Sequence, residues 1–469
     1  MKITQLYTNC LAQGAYYISH KGEAAIIDPL RETGPYLDLL KENKDQLTHI
    51  FETHFHADFV SGHVDLAAAT GAKIVFGPNA QTDYESYIAK DEEVFKIGGL
   101  SLTVLHTPGH TLESSCFLLK DEHQKALCLF SGDTLFIGDV GRPDLAIKSD
   151  LTQEDLAGML YESLRNKIMP LPDDVIVYPA HGAGSACGKN MSKETSDTLG
   201  HQKEVNYALR NLSKEEFITE LTTGILPAPQ YFAKNAALNK KGYENYEKVL
   251  HKGSNALSVG DFVTMHKNEK ALVLDVRRSG DFAEAHIPGA IFIGLDGQFA
   301  PWVGTLIKDL KTPILLVCPN GKEAETVMRL SRVGYDNSLG YLHGGMEAWI
   351  KAGKTAETVT SISAETFVPQ YLNGVKTLDV RKPGEYESAH IKNADTKPLD
   401  FIYEWMEHLD KAQPYMVHCA GGYRSMIAVS VLKANGFEHL TDVQGGYAAI
   451  SRVHNAETEI VTLACSKTV

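Results

Sequence analysis

The chain has 469 residues, of which 43% are hydrophobic, so we expect about two to four domains, each with its own core. Its net charge of −14 argues against nucleic acids and anionic membranes as main partners. No apolar stretch approaches the length of a membrane span, and the first residues lack the apolar core of a signal peptide. The 7 scattered cysteines fit free thiols better than a disulfide framework, so we expect a cytoplasmic protein.

Short apolar runs, each followed by a cluster of Gly, Pro, His or Asp, characterise the first part of the chain. They predict strands, and a loop that carries polar side chains follows each strand. Layered α/β enzymes carry their chemistry on such loops, so the clusters contain the candidate functional residues. The predicted strands span residues 24–29, 47–53, 73–76, 102–105, 126–130 and 175–178.

Three of these clusters contain side chains that bind divalent metals. They read HFHAD at residues 54–58, HTPGH at 106–110 and SGD at 131–133. A single histidine is usually a core or surface residue, but imidazoles and carboxylates at this density, each with its own turn signal, predict a metal site.

An internal repeat occupies the C-terminal half. Leu-Asp-Val-Arg at 274–277 recurs at 378–381, and Cys318 recurs as Cys419. Each copy alternates strand patterns with helix patterns, which predicts a parallel sheet with helices on its faces. The two predicted domains span residues 258–356 and 360–469.

The residues before the repeat form the remaining predicted domain, 1–245, and a linker, 246–257. The stretch 225–256 contains Pro, Gly and Asn at turn-like spacings, so we interpret it as a linker or a cap and not as a core element.

The two copies differ in the loop that begins at the shared cysteine. In the second copy, Cys419-Ala-Gly-Gly-Tyr-Arg424 lies between a predicted strand and a predicted helix. Backbone N–H groups, the helix N-terminus and Arg424 then favour the thiolate. In the first copy Glu323 replaces the arginine and Pro319 lacks an N–H group, so we predict a weakly active or purely structural loop around Cys318.

The first half of the chain resembles the persulfide dioxygenases, the iron branch of the metallo-β-lactamase superfamily. The resemblance covers about residues 1–245 and depends on THFHADFVSGH, HTPGHT, SGDTL, GDVGRPD and YPAHGAGSACGK. The second half resembles two rhodanese (sulfurtransferase) domains, and the whole chain resembles bacterial fusions of these modules. The implied fold class is multidomain α/β: an αββα metallo-β-lactamase fold followed by two α/β rhodanese-like domains with parallel sheets.

This resemblance implies one Fe(II) per chain, held by His54, His110 and Asp133. Two histidines and one carboxylate suit non-heme iron and leave positions for substrate and dioxygen. Phe59 stands where a second-site histidine usually stands, and a phenyl ring cannot bind a metal. The sequence therefore favours one metal over a two-metal hydrolase site.

His56, Asp58 and His181 match metal positions of the hydrolase relatives. We expect them to orient the ligands and bound water, although His56 could also be a direct ligand.

Three further residues are candidates for substrate binding. Arg142 matches a substrate-side arginine of the family and could bind a carboxylate of the persulfide carrier, or it could pair with Asp139 or Asp144. Tyr178 could line the pocket or simply pack. Cys187 could accept sulfane sulfur near the metal, or it could be a small buried residue in a Gly-rich loop.

The main functional hypothesis is an enzyme that oxidises a small-molecule persulfide with O2 to sulfite and thiol. Cys419, with Arg424, would be the sulfur-carrying nucleophile that handles sulfite and thiosulfate. One alternative is a glyoxalase II-like thioester hydrolase with sulfurtransferase domains, and another is a non-catalytic sulfur carrier or sensor. We also expect a homo-oligomer, and the sequence leaves the persulfide carrier and the direction of sulfur transfer open.

Overall fold

A computed structural model describes residues 1–145, 151–225 and 227–460, which form two units. The first unit is Met1–Val249 together with Met328–Asp336, and the second is Leu250–Val327 together with the chain from Asn337 onward. Cys465 and the end of the second copy's predicted range lie outside the described residues. Among the helices of the described residues, none combines the length and the apolar character that a membrane span requires.

The first unit contains two 6-stranded sheets. In the first sheet the strands follow chain order: the first three are antiparallel to one another, and the third to the sixth are parallel. Its strands are β1 (Lys2–Thr8), β2 (Gln13–His20), β3 (Glu23–Ile27), β4 (Gln46–Glu52), β5 (Lys73–Phe76) and β6 (Tyr87–Ile88). The second sheet contains β7 (Val94–Ile97), β8 (Leu100–His106), β9 (Ser115–Lys120), β10 (Ala126–Gly132), β11 (Ile176–Pro179) and β12 (Asp197–Thr198).

Alternation along the strands sorts apolar residues to the two faces of each sheet. Tyr16 and Phe51 pack with Phe130 between the two sheets, whereas the neighbouring Tyr17 packs on the outer face of the first sheet. Helices α1 (Gly34–Asn43) and α2 (His63–Thr70) cover that outer face. Helices α3 (Gln153–Ser163), α4 (Leu199–Val205) and α5 (Lys214–Thr222) cover the second sheet. The four layers confirm the predicted αββα arrangement.

The stretch interpreted as a linker or cap contains regular structure. Helices α6 (Phe232–Lys241) and α7 (Tyr246–Gly253) occupy most of it. Asn239 on α6 is 1% exposed and hydrogen-bonded to backbone groups of the first unit, so the interpretation that the stretch is not a core element was wrong. Asparagine is typical of turns in a sequence, but a buried amide can also satisfy the polar groups of a neighbouring loop.

The second unit contains two 5-stranded parallel sheets, one in each copy of the repeat. The first, in spatial order, is β13 (Ala256–Leu257), β17 (Ser338–Leu342), β16 (Ile314–Val317), β14 (Leu272–Asp275) and β15 (Ile291–Phe292). The second is β18 (Thr360–Ile362), β23 (Leu440–Val443), β22 (Tyr415–His418), β19 (Lys376–Asp379) and β21 (Asp395–Thr396). Equivalent strands occupy equivalent places, so the predicted repeat and its parallel sheets are confirmed.

A small antiparallel pair, β20 (His390–Ile391) and β24 (Thr458–Glu459), completes the strands described in this unit. The helices of the first copy are α8 (Val259–Glu269), α9 (Ser279–Glu284), α10 (Phe299–Leu306), α11 (Glu323–Ser331) and α12 (Gly345–Lys351). Those of the second are α13 (Ala364–Leu372), α14 (Pro383–Ser388), α15 (Ile402–Trp405), α16 (Tyr423–Ala434) and α17 (Gly446–Ile450). The two shared cysteines follow the equivalent strands β16 and β22.

Candidate metal centre and sulfur-transfer loops

His54, His110 and Asp133 lie together in the first unit, on the loops that follow β4, β8 and β10. One ligand atom from each lies within 4.8 Å of the others. The Nε2 atom of His110 is 3.3 Å from Oδ2 of Asp133, and Nε2 of His54 is 3.8 Å from the same oxygen. All three side chains are buried, so the structure brings together the three residues predicted to bind the metal.

Close backbone packing around Asp133 depends on glycine at two positions. A Cβ atom at Gly132, whose φ is +53°, would lie 2.7 Å from the Thr53 side chain. A Cβ atom at Gly141 would lie 2.1 Å from the carbonyl oxygen of Asp133 and 2.9 Å from Nδ1 of His110. Residues larger than glycine would therefore move the loops that carry the candidate ligands apart.

Hydrogen bonds orient both imidazoles towards Asp133. The Nδ1 atom of His54 lies 2.9 Å from Oγ1 of Thr53, whose hydroxyl donates to Asp28 at 2.8 Å. The Nδ1 atom of His110 lies 2.9 Å from the carbonyl oxygen of Arg142. With Nδ1 of each ring donating, both Nε2 lone pairs are available for a metal.

Two of the three candidate ligands, His54 and Asp133, have the protonation states that a divalent cation requires. Burial and the neighbouring His56 lower the pKa of His54 well below its usual value, so its ring is neutral. Burial alone would raise the pKa of Asp133, but His181, which also hydrogen-bonds to this carboxylate, holds that pKa well below the usual value. The Nε2 atom of His110 and Oδ2 of Asp133 have no hydrogen-bond partner in the described residues, which fits a cation bound between them.

His56 lies outside this cluster. Its Nε2 atom is 3.1 Å from Oδ1 of Asp28 and 3.6 Å from Oε2 of Glu52. The ring of Phe59, which is fully buried, packs 4.4 Å from the His56 ring, measured between centroids. His56 therefore joins a carboxylate cluster beside the candidate metal centre, and Asp28 connects it to the hydrogen bonds that orient His54.

His181 bridges two carboxylates. Its Nδ1 atom is 2.8 Å from Oδ1 of Asp133, and its Nε2 atom is 2.8 Å from Oδ2 of Asp58. Against the effect of burial, these two carboxylates raise the pKa of His181 well above its usual value. His181 thereby holds the carboxylate of Asp133 with one oxygen facing the other two candidate ligands, an arrangement that matches the expected orienting role.

Asn239 is a residue that the sequence analysis missed as part of the site. Its side-chain amide donates to the carbonyl oxygens of His56 and Phe59 at 2.7 and 2.8 Å, and its oxygen accepts from the backbone N–H of Ser61 at 2.9 Å. Asn239 therefore holds the loop that follows His54. The only signal in the sequence was an asparagine in a turn-like stretch, which did not indicate its partner.

Arg142 and Tyr178 make the contacts expected if they do not bind substrate: an ion pair for the arginine and packing for the tyrosine. Arg142 forms two hydrogen bonds, of 2.6 and 2.7 Å, with Asp144 and donates to the carbonyl oxygen of Ala186 at 3.1 Å. Tyr178 stacks on Phe130, with ring centroids 5.6 Å apart, among the residues between the two sheets. The arginine has an ion-pair partner, and the partly buried tyrosine packs against the core.

In the loop of the second copy, one backbone N–H group and one hydroxyl lie close to the sulfur of Cys419. The backbone N–H of Gly422 donates to Sγ of Cys419 at 3.1 Å, and Oγ of Ser425 lies 3.7 Å from the same sulfur. Arg424 pairs with Glu385 through two hydrogen bonds of 2.6 and 2.7 Å. Part of its charge is therefore balanced by a carboxylate that the sequence analysis had not identified.

The first copy differs at the equivalent atoms. The backbone N–H of Gly321, three residues after Cys318, donates to a carboxylate oxygen of Glu323 at 3.2 Å. Burial, together with the charges of Glu323 and Asp275, raises the pKa of Cys318 to about 12. Gly422 donates to sulfur in the second copy, whereas the equivalent Gly321 donates to a carboxylate in the first copy. The Cys318 thiolate therefore lacks this hydrogen bond and lies near a negative charge, and both effects disfavour it.

Comparison with known proteins agrees with this arrangement. The metallo-β-lactamase superfamily pattern matches residues 9–181, and the rhodanese-like domain pattern matches residues 258–352 and 368–452. The chain therefore belongs to the metallo-β-lactamase superfamily and carries two rhodanese-like domains after its metallo-β-lactamase domain.

Its relatives include two kinds of enzyme. Human mitochondrial persulfide dioxygenase ETHE1 is 33% identical over 210 residues, which are 44% of this chain and 74% of that protein. The probable hydroxyacylglutathione hydrolase glo2 of Schizosaccharomyces pombe is 35% identical over 162 residues, 34% of this chain and 58% of that protein. The solved metallo-β-lactamase from Staphylococcus aureus is 32% identical with a TM-score of 0.64, covering 73% of this chain and 98% of that one.

Proposed function

We propose that the first unit is a non-heme Fe(II) persulfide dioxygenase and that the second copy of the repeat is its sulfurtransferase. The observation that carries the proposal is the buried cluster of His54, His110 and Asp133, with Phe59 in place of a further metal-binding histidine. Two histidines and one carboxylate are the ligands that suit Fe(II) when it must leave positions for substrate and dioxygen. The expected content is one iron per chain.

The proposed reaction is RSSH + O2 + H2O → RSH + H2SO3. The terminal sulfur is oxidised, dioxygen takes up its electrons, and water supplies the third oxygen of sulfite. Bound Fe(II) supplies the redox chemistry that Zn(II) lacks. His54, His110 and Asp133 hold the metal, and His181 keeps the Asp133 carboxylate oriented. The buried position of these side chains keeps bulk water away from them.

Cys419 carries the second part of the proposal. Its thiolate attacks the outer sulfur of a persulfide, the parent thiolate leaves, and the enzyme retains a persulfide. Sulfite then attacks that outer sulfur, which releases thiosulfate and restores the Cys419 thiolate. The N–H group of Gly422 and the hydroxyl of Ser425 lie beside the sulfur that takes the negative charge. Sulfite formed in the first reaction is thus an acceptor for the sulfur that Cys419 carries.

A glyoxalase II-like thioester hydrolase is the second candidate. It is favoured by the hydroxyacylglutathione hydrolases among the relatives, such as the Citrobacter koseri enzyme, which is 32% identical over 209 residues. Phe59 opposes it, because a two-metal hydrolase site would lose a ligand there.

Oxygen uptake distinguishes the two candidates. The full-length protein is expressed in iron-rich medium, and its oxygen uptake with glutathione persulfide is measured in an oxygen electrode. In parallel, its hydrolysis of a hydroxyacylglutathione thioester is measured. We expect the parent protein to take up oxygen with the persulfide. The Asp133→Ala variant should take up none, because this variant lacks the only carboxylate among the three proposed metal ligands. His106→Ala is the matched control, since the His106 ring hydrogen-bonds to the Leu112 carbonyl and belongs to none of the groups of metal-binding side chains in the described residues. Thioester hydrolysis without oxygen uptake, two irons per chain, or full oxygenase activity with zinc alone would overturn the proposal.

Product analysis tests the coupling of the two activities. With persulfide and oxygen, the parent protein should release thiosulfate as a substantial product. Cys419→Ser should consume oxygen at a similar rate but release mainly sulfite. The uncatalysed reaction of sulfite with persulfide is measured without enzyme and subtracted. An unchanged ratio of sulfite to thiosulfate in the variant would show that Cys419 acts upstream, delivering sulfur to a carrier thiol that the metal site oxidises.

A further inference from the structure

A buried carboxyl group lies behind the loop that carries Cys419. Asp442 is on β23, where it pairs with Val417, two residues before Cys419 in the chain. Cys419 is 1% exposed, Asp442 is 3% exposed, and Ser425, at the start of α16, is fully buried. The sulfur transfer proposed for Cys419 assigns no role to this carboxyl group.

Ser425 connects the sulfur to the carboxyl group. The Cys419 thiol donates to Oγ of Ser425 at 3.7 Å, and Ser425 is one of two serines whose hydroxyls hydrogen-bond to Asp442. The other is Ser361, which donates to Oδ2 of Asp442 at 3.4 Å. The second carboxyl oxygen, Oδ1, has no hydrogen-bond partner in the described residues, so it keeps a lone pair that can accept a proton.

The surroundings of Asp442 make it a stronger base than an exposed aspartate. Burial raises the pKa of Asp442 from 3.8 to about 6, although the hydrogen bonds from the two serines offset part of that rise. A side chain that titrates near the operating pH is the most effective proton acceptor, because it is still ionised and yet binds a proton readily. Near pH 7 the carboxylate is therefore ready to take up a proton.

Other charged or ionisable groups also lie near the loop, and most of them face one another. Arg424 pairs with Glu385 at 2.6 Å, and Arg381 pairs with Asp379 at 2.6 Å. His418 is buried 3.8 Å from Asp379, and burial lowers its pKa, so its ring is neutral. Asp442 differs from the two paired carboxylates because the groups that hydrogen-bond to it are hydroxyls and not cations.

The first copy has a hydroxyl beside its cysteine but a different residue behind it. The Cys318 thiol donates to Oγ1 of Thr326 at 3.5 Å, and that hydroxyl donates to the carbonyl oxygen of Lys322 at 2.7 Å. Leu316, two residues before Cys318, pairs with Tyr341 on the neighbouring strand. Tyrosine therefore stands where the second copy has the carboxyl group, in the copy whose loop disfavours the thiolate.

We propose that Asp442 accepts the proton of the Cys419 thiol through the hydroxyl of Ser425. The thiol proton passes to Oγ of Ser425 while the proton of that hydroxyl passes to the carboxylate. The S–H bond and the Ser425 O–H bond break, and new O–H bonds form on Ser425 and Asp442. For this step the hydroxyl, which donates to the carbonyl oxygen of Gly422 at 3.2 Å in the structure, turns towards Asp442.

This route moves a buried charge and does not create a second one. The negative charge passes from the carboxylate to the sulfur, and Ser425 ends with a proton that faces the thiolate. A second buried anion would be far more costly, because it would have to be removed from water without a partner. After sulfite releases the thiolate, the proton returns by the same route. The proposal rests on the proposed sulfur transfer, in which Asp442 is a positioning residue that acts through Ser425.

The test is the pH dependence of sulfur transfer from thiosulfate to cyanide by the full-length protein. In the parent, kcat/KM should rise as the pH passes through about 6, where Asp442 ionises. In Asp442→Asn the rise should shift to higher pH, with a loss of about 10²-fold at pH 7 that largely disappears near pH 9. Asparagine keeps the shape of the side chain, and urea denaturation at each pH shows whether the variant is folded.

Further variants and a second readout assign the effect to the chain of groups. Ser425→Ala should lose about as much as Asp442→Asn at pH 7, and the double variant should lose no more than either, because the two residues act in series. Thr326→Val, which removes the hydroxyl beside Cys318, is the matched control and should transfer sulfur like the parent. The rate of Cys419 alkylation by iodoacetamide, followed by mass spectrometry of its peptide, should show the same pH shifts.

Two results would overturn the proposal. They are a parent-like pH dependence in Asp442→Asn and additive losses in the double variant. Alkylation measures removal of the thiol proton without any transfer of sulfur. A parent protein that transfers no sulfur would therefore count against the proposed sulfurtransferase, whereas the alkylation rates would still decide the proton route.

Discussion

The hydroxyl of Tyr423 donates a 2.7 Å hydrogen bond to the carbonyl oxygen of Gly294, so that a residue of the Cys419 loop in the second copy is anchored on the first copy. Both residues belong to the second unit. The ring of Tyr423 also lies against Gly297, where an added Cβ would be 2.2 Å from the nearest ring atom. The first copy therefore supports the Cys419 loop even though its own loop disfavours a thiolate.

Replacing Gly297 should impair sulfur transfer. In Gly297→Ala the new methyl group would displace the Tyr423 ring and with it the loop that holds the sulfur, at a cost of about 1–3 kcal/mol. We expect a lower kcat for sulfane sulfur transfer and unchanged oxygen uptake. Gly280→Ala is the control, because a Cβ there meets no atom within 4 Å. Equal sulfurtransferase activity in the two variants would show that the contact does not position the loop.

The buried ion pair between Arg332 and Glu32 should stabilise the first unit. Arg332 lies in the segment Met328–Asp336, and its backbone oxygen also accepts from the N–H of Val60 at 2.7 Å, next to Phe59. In Arg332→Met, Glu32 would be buried without its partner, which costs about 3–5 kcal/mol. We expect a clearly lower Tm and weaker retention of iron.

Two further variants check this interpretation. Adding Glu32→Gln to Arg332→Met should restore part of the lost stability, since the unpaired charge is removed. Lys322→Met breaks the exposed pair with Glu325 and should change stability by only about 0–1 kcal/mol. If Arg332→Met unfolds at the same temperature as the parent protein, the ion pair contributes no net stability.

The two shared cysteines should differ in reactivity. Cys419→Ser should abolish transfer of sulfane sulfur from thiosulfate to cyanide, whereas Cys318→Ser should retain most of it. The reason is that Gly422 donates to sulfur in the second copy, while burial and Glu323 raise the pKa of Cys318 to about 12 in the first. The rate of alkylation by iodoacetamide near neutral pH gives an independent measure. Loss of most transfer activity in Cys318→Ser would show that the first loop is active.

Asp442 should make stability depend on pH. Burial raises the pKa of Asp442 from 3.8 to about 6, although hydrogen bonds from Ser425 and Ser361 lower it in part. Because the folded-state pKa exceeds the unfolded value, this group stabilises the fold fully below about pH 4 and loses that contribution as the pH rises through about 6. The shift corresponds to about 3 kcal/mol at most.

Urea denaturation of the full chain between pH 4 and 8 tests this dependence. Asp442→Asn should remove the decline in the free energy of unfolding over the lower half of that range and should be more stable than the parent at pH 7. Asp395→Asn, at an exposed position, serves as the control. A variant that keeps the parent's decline would assign it to another group.

The amino-acid sequence alone determined the repeat, the parallel sheets and the clusters of candidate ligands. Each of these depends on local patterns: strand periodicity, turn residues, and side chains a few positions apart such as those of residues 54–58. The sequence also showed that Arg424 of the second copy is replaced by Glu323 in the first, because the two copies can be aligned residue by residue.

Only the tertiary structure decided which groups face one another. Asn239 holds a loop about 180 residues earlier in the chain, Arg424 is paired with Glu385, and Cys187 joins Asp58 and His181. The residue types in these contacts have many possible partners, and turn or charge patterns do not select among them. Burial determines which partner each polar group has. A polar group that is removed from water has to hydrogen-bond to one of the groups that the packed sheets and helices place near it.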